Sequence, residues 1–228
     1  MGAPSKSRQL TFAERPTRLG KKRLRPGRKA APGAKVRHRA RAVHRRTDPM
    51  HITLRAKAGL PSFRRQTLFA AFDEAFRRTR RDDFRIVEFS VQSNHVHMIV
   101  EAESNDALAR GMKSFTVRAN RLFNAAWGRR RGQVWSDRYH RRDLRGPRAV
   151  RNALVYCLNN FRKHLRVTSP KPFVDPMSSG PWFEGWVNKL PRDAASRPTP
   201  LPETWLLREG WHSLTTFLHA AEHPHRPT

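Results

Sequence analysis

In the run HVHMIVEA, polar His95, His97 and Glu101 alternate with apolar Val96, Met98, Val100 and Ala102, the period-two pattern of a half-buried β-strand. Val96, Met98 and Val100 then enter a core, and His95 and His97 share the opposite face about 7 Å apart. Two imidazoles so placed can share a divalent cation or stand exposed, and the H-x-H spacing alone leaves both readings open.

The neighbouring stretches set the context of that strand. In MHITLRA, Ile52 and Leu54 alternate with His51, Thr53 and Arg55, so His51 and Arg55 join the polar face of a second strand. DFRIVEFSVQ alternates again, with Val87, Phe89 and Val91 on one face and Ile86, Glu88, Ser90 and Gln92 on the other. Ser93 and Asn94 supply turn residues that make it a hairpin with the His95 strand. Phe69, Phe72 and Phe76 recur at helical spacing between the first two strands. From Ser104, a predicted N-cap, Leu108, Met112, Phe115, Ala119, Leu122 and Ala126 mark a long amphipathic helix. Gln133 to Leu144 reads as a strand-like segment and PRAVRNALVYCLNNFRKHL as a third helix, with Pro147 in its first turn. The order β-α-β-β-α-β-α predicts an α+β, ferredoxin-like antiparallel sheet with two helices on one face and the other face open.

Lys and Arg number 47 against 18 Asp and Glu, a formal net charge of +29 in 228 residues. A chain so charged calls for a polyanionic partner, and nucleic acid comes first. Residues 1–47 are rich in Arg, Lys, Pro, Gly and Ala and poor in core formers, so a disordered basic arm is expected there, either lying on DNA or RNA or simply solvated. Residues 48–165 form the expected catalytic domain, and 166–228 a Pro/Trp-rich extension. Trp182, Trp186, Trp205 and Trp211 either dock that extension or stack on bases. A single cysteine, Cys157, forms no internal disulfide, and no apolar run suits an export signal or a membrane span. No membrane partner and a cytoplasmic setting are therefore expected.

The third helix carries the most informative residues. Val150, Leu154, Cys157, Leu158 and Phe161 form its apolar stripe, which puts Tyr156 on the polar side with Asn152, Asn160 and Lys163. Tyr156 and Asn160 are four residues apart and so neighbours on one face. There a phenol can reach a phosphate while the amide oxygen reaches a metal holding that phosphate. A phenol is a weak nucleophile at its free pKa of about 10, so a cation and nearby positive charge are needed to favour the phenolate. Tyr139, among His140 and several arginines, is the alternative nucleophile, or else a packing or phosphate-contacting residue. Arg55, Lys113, Arg118, Arg138, His140, Arg141 and Arg142 are collectively the candidate DNA-phosphate contacts.

These residues match a known pattern. SNHVHMIVEA resembles the HUH motif of the single-tyrosine transposases, and WSDRYHRR with VRNALVYCLNN looks like the segment carrying their helix-borne tyrosine. The subgroup it resembles is the REP-associated tyrosine transposases, relatives of the smallest insertion-sequence transposases, over roughly Met50 to His164. Ser93 and Phe161 stand where the family often has proline. The resemblance implies His95, His97 and Asn160 as ligands of Mg²⁺ or Mn²⁺, and Tyr156 as the nucleophile on a single-stranded DNA phosphate. It implies a 5′-phosphotyrosine intermediate and a free 3′-hydroxyl. The expected partner is single-stranded or hairpin DNA bearing palindromic repeats, bound by a monomer or homodimer. The alternative is a domesticated relative that grips structured DNA or RNA without cutting it.

Overall fold

A computed structural model describes residues 43–164, 173–187, 196–213 and 217–223, apart from the His164 side chain. The expected arm falls almost wholly on residues outside these. His44, on the arm side of the expected boundary, is buried with Nε2 2.7 Å from the Ala102 carbonyl oxygen.

Four strands, β1 (Met50–Arg55), β2 (Phe84–Val91), β3 (His95–Ala102) and β4 (His140–Asp143), pair antiparallel in the order β2-β3-β1-β4. With helices α1 (Gln66–Arg78), α2 (Asn105–Ala126) and α3 (Pro147–His164), this is the α+β, ferredoxin-like arrangement that the alternating and helical runs predict. The fourth strand is shorter than the run Gln133 to Leu144. Its first half contributes only an isolated bridge between Trp135 and Ala56.

The first core lies between the sheet and α1 and α2. Ile52, Leu54, Val96, Met98 and Val100 meet Phe72 and Phe76 of α1 and Met112, Phe115 and Phe123 of α2. Ser104 caps α2 as predicted, its hydroxyl accepting from the Ala107 N–H at 3.1 Å. Tyr139 packs against this core. That places it away from the face that carries His95 and His97.

A β-bulge in β2 changes the faces that strict alternation assigns. Ile86 pairs with Val100 and Glu88 with Ile99, so the extra residue is Val87. Ile86 therefore enters the first core and Val87 the second, the reverse of the expected assignment. The Val87 carbonyl accepts from Thr199 Oγ1 at 2.8 Å and Arg197 Nη2 at 3.1 Å.

The face expected to stand open is covered in part. α3 crosses it, and a second core joins Val87 and Ile99 of the sheet to Val150, Leu154 and Cys157 of α3 and to Leu207, Trp211 and Leu218 beyond it. Residues Met177 to Ser179 lie along the outer edge of β2, with Val91 N–H donating to the Met177 carbonyl and Ser179 N–H to that of Phe89, both at 2.9 Å. Asp175, fully buried, takes two hydrogen bonds from Arg64 at 2.7 and 2.8 Å. Of the four C-terminal tryptophans Trp211 is buried, Trp182 and Trp186 are half-buried, and Trp205 is 56% exposed. Glu101, two residues beyond Ile99 on the same strand face as His97, is buried, and its carboxylate accepts from Glu203 N–H, Thr204 N–H and the Thr204 hydroxyl. Its work is to tether the C-terminal segment.

Candidate active site

β1 and β3 pair with Thr53 opposite His97 and Arg55 opposite His95, so the polar faces of the two strands merge at one end of the sheet. His95 is half-buried and His97 buried, with ring centroids 4.6 Å apart. α3 brings Tyr156 to them: its ring stands edge-on at 5.1 Å from His97 and 5.6 Å from His51. The structure thus joins the expected nucleophile to the expected histidine pair, and adds His51.

Each histidine of the pair is held through Nδ1. His95 Nδ1 lies 2.8 Å from the Asn94 side-chain oxygen. A carboxamide oxygen only accepts, so the proton of a neutral His95 sits on Nδ1 and Nε2 keeps its lone pair. His97 Nδ1 lies 3.1 Å from both His51 Nε2 and Thr53 Oγ1. His51 is 6% exposed, and its pKa is pushed down to about 4, first by burial and then by the positive charges of Arg142 and His140. A neutral ring there can exchange a hydrogen bond with His97.

Asn160 lies one turn beyond Tyr156 on the same side of α3. It is fully buried, and neither Oδ1 nor Nδ2 has a hydrogen-bond partner among the described residues. A buried amide left unbonded is costly, and a bound ion is one way to satisfy it. Among the described residues no three His, Cys, Asp or Glu side chains are grouped to hold an ion. The set that the resemblance implies, His95, His97 and Asn160, consists of neutral nitrogen and oxygen donors that leave positions open for water and phosphate oxygens. Such a set fits Mg²⁺ or Mn²⁺ and not a closed zinc site.

The candidate phosphate contacts divide. Arg55 is exposed beside His95, His140 is exposed opposite Thr53, and Arg142 is half-buried opposite His51, so these three rim the site. Arg138 is exposed in the loop before β4. Arg141 turns to the other face, where its guanidinium bonds Asp143 at 2.5 and 3.0 Å and Asn105 at 2.6 Å. Lys113 and Arg118 lie on α2, across the sheet from Tyr156, and Arg118 donates to Thr79 Oγ1 at 3.0 Å. The structure does not bring these last three to the site. The alternation that found His95 and His97 also showed His51 on their face. Its contact with His97 needed the register of β1 against β3.

Residues 49–148 match the family model described as "Transposase IS200 like". The match ends before Tyr156 and Asn160. Among solved structures, one titled "Structure of the REP associates tyrosine transposase bound to a REP hairpin" is similar at 19% identity, with a TM-score of 0.48 over 61% of this chain and 82% of that one. No curated protein matches the chain. Among the described residues no helix is long and apolar enough to cross a membrane.

Proposed function

We propose that the chain is a single-tyrosine transposase that cuts and rejoins single-stranded DNA. In this reading Tyr156 Oη attacks the phosphorus of a phosphodiester in line with the leaving 3′-oxygen. The phenol loses its proton, the P–O3′ bond breaks, and the products are a 5′-phosphotyrosine and a free 3′-hydroxyl. Attack by a 3′-hydroxyl on the phosphotyrosine reverses the step and rejoins a strand, so no external energy source is needed. The observation that carries the reading is the meeting of the Tyr156 ring, from α3, with His97 on β3 at 5.1 Å.

His95, His97 and Asn160 would hold the cation. When bound, Mg²⁺ or Mn²⁺ supplies charge stabilisation to the scissile phosphate. The chain's own residues do the rest: the β2–β3 hairpin and Asn94 orient His95, α3 sets the phenol beside the strand, and Arg55, His140 and Arg142 attract the phosphate backbone toward it. The net charge of +29 supports a DNA partner, and a strand folded as a hairpin of palindromic repeats is the proposed substrate.

The test is a nicking assay on a single strand carrying inverted repeats from the DNA flanking the coding region, with Mn²⁺ or Mg²⁺. Wild type yields a covalent protein–DNA adduct, and Tyr156→Phe yields none. An adduct formed by Tyr156→Phe would remove Tyr156 from the role.

A further inference from the structure

We infer that His51 is a positioning residue of the cation site: its Nε2 accepts the Nδ1 proton of His97 and so keeps His97 Nε2 turned toward the ion. The inference rests on the reading of His95 and His97 as ligands. It concerns what makes one of them competent to bind.

An imidazole ligates through a nitrogen that bears no proton, so a neutral ring bound through Nε2 must keep its proton on Nδ1. At His95 the acceptor for that proton is the Asn94 oxygen, at 2.8 Å. His97 has His51 Nε2 and Thr53 Oγ1, each 3.1 Å from Nδ1. With no ion the shared proton can sit on either ring. Ligation through His97 Nε2 admits one arrangement only, with His97 Nδ1 donating and His51 Nε2 accepting. The Thr53 hydroxyl rotates and serves equally as donor or acceptor, so it does not fix the direction.

Packing also singles out His51. Its ring lies nearly parallel to that of His97, with 5.1 Å between centroids and 24° between planes, and meets Tyr156 edge-on at 5.6 Å. It thus touches both the expected ligand and the expected nucleophile. His51 stands opposite Ile99 in the β1–β3 ladder. A polar ring only 6% exposed bears a desolvation cost there, which its hydrogen bond offsets. His97 is 3% exposed, so water has little room to replace a lost acceptor. Outer partners of ligating histidines are worth about 10–100-fold in metal affinity in general.

The experiment measures Mn²⁺ binding to the full chain by calorimetry or by the EPR signal of free Mn²⁺, with a thermal melt for every variant. His51→Phe, which keeps the ring's bulk and loses the acceptor, is expected to weaken Mn²⁺ binding roughly 10–100-fold. His51→Gln, whose side-chain oxygen can accept, is expected to recover most of that affinity, and Thr53→Val to stay near wild type. Wild-type affinity in a folded His51→Phe protein overturns the inference while leaving the site reading in place. So does a folded His51→Gln protein whose affinity falls by the 10–100-fold expected of His51→Phe, which also decides the matter should His51→Phe not fold. A wild-type protein that binds no Mn²⁺ overturns the site reading as well.

Discussion

Arg142 stands opposite His51 in the β1–β4 ladder, while its neighbour Arg141 points to the other face and closes an ion pair with Asp143. Adjacent strand residues thus face opposite sides of the sheet. Arg142→Ala should weaken single-stranded DNA binding and lower the slope of log affinity against log salt by about one. Arg141, with a side chain only 6% exposed, should affect folding instead: Arg141→Ala should cost about 3 kcal/mol in urea unfolding and leave the salt slope unchanged. Equal salt slopes for the two variants would show that the division is wrong.

Asn159 and Asn160 are both buried on α3 and differ in their bonding. Asn159 Nδ2 donates to the carbonyls of His219 and Glu222 at 3.1 and 2.9 Å, whereas Asn160 bonds nothing among the described residues. Asn159→Leu should therefore lose about 1–3 kcal/mol of stability. Asn160→Leu should hold or gain stability while losing Mn²⁺ binding and adduct formation. An Asn160→Leu protein that binds Mn²⁺ as wild type does would take Asn160 out of the ligand set.

How much of this was legible follows from which forces were local. Alternation in HVHMIV and the Ser104 cap depend on neighbours within a few residues, and both came out as the sequence predicts. The bulge at Val87 did not, because Ile86 and Val87 are both apolar and either can face a core. At the slip the Val87 carbonyl accepts from Thr199 and Arg197, more than a hundred residues on, contacts that no local pattern encodes. The buried state of Glu101 and Asn160 had the same origin. A wheel or an alternating run marks the side opposite the core as polar, and cannot tell that side from one covered by another polar segment.

Asp83 makes a small, pH-dependent contribution to stability with a defined sign. Hydrogen bonds from Arg81 and then Arg110 hold its carboxyl at about 2, below the ordinary 3.8. A carboxylate with a depressed folded-state pKa adds stability above its unfolded pKa and loses it as the pH falls through the folded one. The difference in melting temperature between wild type and Asp83→Asn should be constant above about pH 5 and shrink between about pH 4 and 2. The effect is small because the pair is exposed to solvent. A difference that does not change with pH would mean that Asp83 acts through shape and not charge.

Gly111 sits in the middle of α2, where intrinsic preference favours alanine by about 1 kcal/mol. Packing opposes that gain. A methyl at this position would run into the ring of Phe84, which is 1% exposed and wedged in the first core, so neither side can yield without moving the sheet or the helix. Overpacking of this kind costs about 1–3 kcal/mol or more and outweighs propensity. Gly111→Ala should lower stability by about 1–2 kcal/mol. The loss should diminish in the Phe84→Leu background, because the shorter side chain vacates the space the methyl needs. Urea unfolding of the two single variants and the double variant closes the cycle. Additive losses would show that the close approach of α2 to β2 does not set the cost, whereas a coupling of about 1 kcal/mol would place it at this contact.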